Sequence, residues 1–308
     1  MLRLPPPLRA RFLCGTAFNS RQTRPLNGYP GLVLSMASKT IHYISGHHET
    51  VLRSHNTRTA ANSAAYLLPS IQPHMHILDL GCGPGTITAD FADLVPRGRA
   101  VGVEPVMPPL KVARATVEER GLKNADFVVG DVQNLDFGDN TFDVAHCHQL
   151  LQHVGDPVHA LREMKRVTSE GGYVAARESD FSIMTWFPEI EGLREWRSLW
   201  MKVERANGGE PDAGSRLVHW ALKAGFERDN IKTSTTAWCF STPEERAWWG
   251  AMWADRVLAG GFAKTVLEGG FETEEGLQRI SKAWREWITK EDGWFTMVND
   301  EILCRVQK

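Results

Sequence analysis

Three segments of this chain place polar groups where a small molecule could meet them. The first is Ile77-Leu78-Asp79-Leu80-Gly81-Cys82-Gly83-Pro84-Gly85-Thr86, an apolar strand that runs into three alternating glycines and then a helical pattern. Glycines let the backbone turn sharply and let a ligand press against it, while the N-terminus of the following helix offers N–H groups to an anion. The second, Val101-Gly102-Val103-Glu104, ends a strand on a carboxylate able to accept hydrogen bonds from both hydroxyls of a ribose. The third, Phe127-Val128-Val129-Gly130-Asp131-Val132, ends the next strand on a carboxylate able to accept from an adenine amino group, with Val132 placed to pack on the ring.

A glycine-rich strand-to-helix turn occurs in nicotinamide and flavin enzymes too, but there the spacing is G-x-G-x-x-G. Here it is G-x-G-x-G, with Asp79 two residues before the first glycine and Pro84 inside the turn. Taken with Asp131, which dinucleotide enzymes do not generally need, the pattern favours a different adenosine-containing ligand whose anionic end is a carboxylate. Past the fourth strand, Phe142-Asp143-Val144-Ala145-His146-Cys147-His148-Gln149 leads to Leu150-Leu151-Gln152-His153-Val154. His148 is the candidate general base, because an imidazole can take a hydroxyl proton near neutral pH; His153, one turn later, is the second candidate. The alternative for His148 is that it packs against the ligand or orients Gln149.

These segments, in this order and spacing, resemble the class I S-adenosylmethionine-dependent methyltransferases, and among them the ubiquinone and menaquinone biosynthesis branch, whose members in fungi and bacteria often modify secondary metabolites. The resemblance covers about residues 41 to 308. It implies S-adenosylmethionine as cofactor, with Asp79, Gly81, Cys82, Gly83 and Gly85 at its methionine end, Glu104 at the ribose, Asp131 and Val132 at the adenine, and His148 beside the methyl group. It also implies that the region before residue 60 folds over the cofactor, so that Tyr43 and Arg53 line the pocket. A long insertion at 241 to 292 departs from the ubiquinone branch.

The elements that must hold these residues follow from periodicity. Short β-branched runs alternate with helical patterns, as in βαβ units feeding a parallel sheet. Strands are predicted near 76–80, 99–104, 125–129, 142–147 and 172–178, and helices near 57–68, 85–95, 108–120 and 156–168. Further on come a helix over 212–224, a strand over 231–240, a helix opened by Thr242-Pro243-Glu244-Glu245, another from about Thr273, and a last strand over 295–306 antiparallel to 231–240. The expected fold is α/β, a doubly wound, Rossmann-like sheet of seven strands, the last two antiparallel, with helical insertions forming a cap. Residues 41 to 180 would be the cofactor-binding core, and 181 to 308 the cap with the last helix and two strands.

All eleven Trp lie between Trp186 and Trp294. Aromatics at helical spacing ordinarily make a core, yet this number suggests that Trp186, Phe187, Trp200, Trp248 and Trp249 cover a flat apolar or aromatic acceptor, with Arg177 or Glu178 giving polar contact.

Composition bounds the rest. The chain has 308 residues, 42% hydrophobic and 23% charged, and no apolar run long enough to span a membrane. Residues 1 to 35 carry Arg3, Arg9, Arg11, Arg21 and Arg24 and no acid, so the body is acidic, which argues against a nucleic-acid substrate. That segment reads either as a disordered extension, with Met36 as an alternative start, or as a mitochondrial transit peptide. The five scattered cysteines read as reduced thiols of a cytoplasmic protein. No metal is expected, because His47 and His48 point apart and Glu49 alone adds no further spacing. The partner is a small-molecule acceptor; a homodimer is left open. Two other classes remain at this level, a nicotinamide-dependent oxidoreductase and a non-catalytic S-adenosylmethionine-binding protein.

Overall fold

The structure is a computed structural model that describes His55 and residues 57 to 308. The extension 1 to 40, Tyr43, the His47-His48-Glu49 group and Arg53 lie outside the described residues. In chain order the elements are α1 (Ala60–Ser63), β1 (His76–Leu80), α2 (Thr86–Leu94), β2 (Arg99–Glu104), α3 (Met107–Glu119), β3 (Ala125–Val129), β4 (Phe142–His148), α4 (Pro157–Val167), β5 (Thr168–Ser179), β6 (Thr185–Phe187), α5 (Glu191–Ala206), α6 (Ala213–Lys223), β7 (Ile231–Phe240), α7 (Pro243–Arg256), α8 (Gly260–Glu268), α9 (Glu274–Ile288) and β8 (Trp294–Arg305).

These form one sheet in the order β3-β2-β1-β4-β5-β8-β7, with short β6 beside β8 on the same edge as β5. The first five strands are parallel. β8 runs antiparallel to β5, β6 and β7, so the last two long strands oppose one another as expected, and the eighth strand is the short addition. Side chains alternate across each strand. Leu78 and Leu80 pack on one face with Leu161 and Met164 of α4 and Leu217 of α6, whereas Ile77 turns to the other face with Phe91 of α2 and Leu67.

The helix expected over 57–68 is shorter. Thr59 and Asn62 make a reciprocal capping box, and Ser63 bonds the Asn62 side chain; such residues compete with the helical backbone for hydrogen bonds, and only α1 and a 3₁₀ turn over Leu68–Ser70 remain. In the second half the Thr242 capping box forms as the sequence predicts, with Pro243 in the first turn. Helix α5 was not anticipated, although Leu193, Trp196, Leu199, Trp200 and Val203 share one buried face.

Helices α5, α7 and α9 enclose a second core with the start of β8. Trp196 packs edge-on to Trp253 at 4.6 Å and to Trp284 at 4.9 Å between ring centroids, and Phe295 of β8 closes the group. Edge-to-face aromatic pairs of this kind add about 0.5–1.5 kcal/mol each beyond the burial itself. The aromatic half is therefore a rigid block set against the sheet.

Candidate active site

At β1 the strand order reverses, β2 leaving to one side and β4 to the other, and the carboxyl ends of such strands are where doubly wound sheets open a crevice. A cavity of about 1110 Å³ lies there. Its walls are the glycine turn, the ends of β2 and β4, the 130–133 segment, and a set of aromatic side chains from β7, α5 and α7.

Gly81, Gly83 and Gly85 all take left-handed backbone conformations. They differ in what they face. A Cβ on Gly83 would have only His55 Nδ1 within 4 Å, at 3.8 Å, so this residue keeps the cavity wall flat. A Cβ on Gly85 would fall 2.6 Å from Ala113 Cβ and 2.9 Å from the Phe127 ring. Gly85 thus lets α3 and β3 close on the turn and does not line the cavity, a correction to its expected place beside the ligand. Cys82 does line the cavity, its backbone N–H donating to the Val103 carbonyl at 3.1 Å. Burial pushes its thiol well above the ordinary range.

Asp79 is buried with both oxygens engaged. One accepts the Thr88 hydroxyl at 2.5 Å and the other lies 2.8 Å from His146 Nδ1. The carboxylate thereby ties β1 to the first turn of α2 and to β4. The N-terminus of α2 has no side-chain cap, so its N–H groups remain available to an anion.

Glu104, at the end of β2, accepts the Gly83 N–H at 3.2 Å and is 7% exposed. Burial raises its carboxyl to about 7, only partly offset by the Gly83 bond, with Asp79 adding a smaller upward push. A carboxyl held in that condition is suited to donors that arrive with a ligand. Asp131 is exposed; its Oδ1 accepts the Gln133 N–H at 2.9 Å, while Val132 is buried and lines the cavity.

His148 lines the cavity at the end of β4, with its ring 5.7 Å from that of Trp238. Among the described residues neither ring nitrogen has a hydrogen-bond partner. Burial first, then Arg58 and Arg177, hold its pKa well below the usual imidazole range. His153 also lines the cavity, and burial with a smaller push from Arg58 holds it at about 3. Both imidazoles are neutral at physiological pH.

Trp200, Trp248 and Trp249 line the cavity as expected of an acceptor wall; Trp186 and Phe187 do not. Trp186 is stacked on Phe295 and also has the Arg197 guanidinium over its ring, and Phe187 is exposed on β6, which pairs with the first residues of β8. Arg177 and Glu178 also stand back from the cavity. Arg177 is held by Glu301 and Thr236 beneath the Trp238 ring, and Glu178 accepts the N–H groups of Leu150, Leu151 and Gln152, bracing the loop that carries His153. Sequence reasoning missed Phe181, Trp238, Phe240 and Trp253, all on the wall. Trp238 and Phe240 alternate on β7, a signal that was available.

The observations above test whether an adenosyl-methionine ligand fits: an uncapped helix N-terminus, an open glycine wall, and a buried carboxyl with spare acceptor capacity at a switch point. They are what a class I S-adenosylmethionine-dependent methyltransferase requires. Comparison with known proteins gives the same class. Residues 71–232 match the model of a methyltransferase domain family. An uncharacterized methyltransferase of Schizosaccharomyces pombe is 34% identical over 284 residues, covering 89% of this chain and 100% of that protein. A demethylmenaquinone methyltransferase of Bacillus cereus is 34% identical over 184 residues, 54% of this chain and 75% of that protein. Among solved structures, a candidate methyltransferase from Bacillus halodurans superposes with a TM-score of 0.52 at 18% identity, covering 79% of this chain and 98% of that one, and so shares the fold. The chain belongs to the methyltransferase family, and its cofactor is S-adenosylmethionine. Among the described residues no helix is long and apolar enough to cross a membrane.

Proposed function

We propose that the protein transfers a methyl group to a flat, aromatic or polycyclic small metabolite of the quinone-like or secondary-metabolite kind. The observation that carries this reading is the continuity of the cavity. At about 1110 Å³ it exceeds the roughly 300–1,000 Å³ of a pocket for one drug-sized ligand, and it runs from the glycine turn to the aromatic wall, so two ligands fit end to end. The kinship with demethylmenaquinone methyltransferases, whose name gives a ring-bearing acceptor, supports the same class.

In this reading the backbone of Gly81, Cys82 and Gly83 and the start of α2 hold the methionine end, Glu104 the ribose hydroxyls, and Asp131 with Val132 the adenine. Asp79 supports the turn from behind. S-adenosylmethionine supplies an activated methyl group when bound. What the chain contributes is alignment and exclusion of water, and alignment of two reactants is worth about 7–11 kcal/mol. Trp200, Trp248 and Trp249 would stack on the acceptor and present it to the methyl carbon. Residues 41 to 180 act as the cofactor-binding core and 181 to 308 supply the acceptor wall. The unpaired Cys82, Cys147, Cys239 and Cys304 support work in a reducing compartment such as the cytoplasm.

The test is to incubate the protein with methyl-labelled S-adenosylmethionine and a panel of hydroxylated naphthalenes, quinols and aliphatic amines. Label is expected on the ring compounds, with Trp248→Ala losing at least tenfold in kcat/KM while its affinity for S-adenosylhomocysteine is unchanged. Label on the aliphatic amines alone would overturn the acceptor class.

A further inference from the structure

The cavity wall between the glycine turn and α5 carries a polar side chain that none of the roles above uses, the carboxamide of Gln152. Its place is set from both sides. Leu150, two residues earlier, fills the space opposite Gly81, where a Cβ would fall 3.0 Å from Leu150 Cδ1. On the far side the Gln152 carbonyl accepts the Glu210 N–H at 2.9 Å, and a Cβ on Gly209 would come within 3.0 Å of that carbonyl and 2.8 Å of Oε2 of the buried Glu204. Gln152 thus stands between the turn where the methionine end of the cofactor belongs and the helix whose Trp200 belongs to the acceptor wall.

Its side chain is held as firmly as its backbone. The backbone N–H donates to Glu178 at 3.4 Å, and Oε1 accepts the Ser179 hydroxyl at 2.9 Å. Ser179 is fully buried, and its hydroxyl hydrogen has no other acceptor among the described residues, so turning the amide over would strand that hydrogen. Nε2 is therefore the end left over. It makes no hydrogen bond among the described residues, although Gln152 is only 6% exposed and lines the cavity. A residue fixed at its N–H, its carbonyl and its Oε1, with its amide donors unused, is a preorganised contact for an oxygen atom, and being neutral it costs less to strip of water than a charged group would.

We propose that Gln152 is a specificity-determining residue for the acceptor, its Nε2 donating to a neutral oxygen on the ring system, a hydroxyl or a carbonyl, and so turning one edge of the ring toward the methyl group. The proposal deepens the acceptor class proposed above and rests on it. A flat molecule stacked on Trp200 can still slide and rotate in its own plane; one directional hydrogen bond from the wall removes that freedom. Phe181, two residues after Ser179, is stacked on Trp200 at 5.5 Å between ring centroids, which ties the aromatic wall to the same strand end that holds the amide. An ammonium group would meet only another donor here.

Equilibrium dialysis of the full chain, saturated with S-adenosylhomocysteine, against 2-naphthol and against naphthalene at neutral pH tests this without turnover. A neutral hydrogen bond contributes up to about tenfold in affinity, so the wild type is expected to bind 2-naphthol about three- to tenfold more tightly than naphthalene. Gln152→Leu should bind the two equally, with naphthalene held no more weakly than by the wild type, and Ser179→Ala, which unfastens the amide, should keep only part of the preference. A preference that survives in Gln152→Leu overturns the proposal; if that variant does not fold, an undiminished preference in Ser179→Ala overturns it instead. Wild-type binding of naphthalene with no gain for 2-naphthol overturns the proposal alone, whereas failure of both compounds to bind overturns the aromatic-acceptor reading and the proposal with it.

Discussion

Glu104 couples cofactor binding to protons in a way that can be worked through from its surroundings. In the cofactor-free protein its carboxyl titrates at about 7, where an ordinary glutamate has 4.5. The displacement corresponds to about 3 kcal/mol in favour of the protonated form, at 1.36 kcal/mol per unit. Ribose hydroxyls donate hydrogen bonds, and donors favour the ionised acceptor, so binding draws the pKa back down. A protein that is about nine-tenths protonated here at pH 6 must then release close to one proton on binding, and almost none at pH 8. Affinity falls as pH drops below 7, about tenfold between pH 8 and pH 6. Calorimetric titration with S-adenosylhomocysteine in buffers of different ionisation enthalpy reads both quantities. Glu104→Gln should bind more weakly and show a flat profile. A flat wild-type profile with no proton released would refute the reasoning; a slope that persists in Glu104→Gln would move the effect to Glu178, which burial also holds at about 7.

Three further outcomes follow from the same geometry. Gly85→Ala must place a Cβ against Ala113 and Phe127 in a left-handed conformation, so urea denaturation should show a loss of roughly 2–4 kcal/mol, whereas Gly83→Ala should cost less stability and mainly weaken S-adenosylhomocysteine binding. Trp253→Ala, in the centre of the aromatic block, should cost about 3–5 kcal/mol; half-buried Trp248→Ala should cost under half of that, and equal losses would show that Trp248 is a core residue. Glu204 has its folded pKa raised from 4.5 to about 8, so the folded protein keeps a proton that the unfolded chain has lost between those values. Stability therefore falls as pH rises through that window, by on the order of a few kcal/mol, and Glu204→Gln should be the more stable variant at pH 8.5 but not at pH 5.

The sequence was most informative where one physical demand governs a segment. Strands β1 and β2, in the middle of the sheet, are buried along nearly their whole length and read as mostly apolar runs, and the glycine turn and the Thr242 cap declare themselves through residues that have few other uses. It was least informative where a residue serves two neighbours. Periodicity shows that Trp186, Trp200 and Trp253 lie on apolar faces, but not whether a face meets another helix or a cavity; Trp253 meets both, Trp186 only protein. Gly85 and Gly83 look alike in the chain and differ only in what stands opposite. Arg177 and Glu178 were rightly placed at a strand end, yet their charges are spent on Glu301 and on the 150–152 backbone, partners distant in sequence or hidden in the backbone. Glu204 gave no signal, because a glutamate between Lys202 and Arg205 reads as a solvated helix face until the Gly208–Gly209 turn closes over it.

The placement of β8 has a consequence for how the chain comes to be built. β5 and β7 never touch as neighbours in the sheet; each pairs with an opposite edge of β8, which is synthesised after both of them and after the three helices that follow β7. Until that strand emerges, a nascent chain carries two open strand edges and an aromatic block lacking Phe295, the kind of surface that invites association with other chains. The sheet behaves as a zip fastened by its last piece, so this protein should depend on being shielded during the late part of its own synthesis.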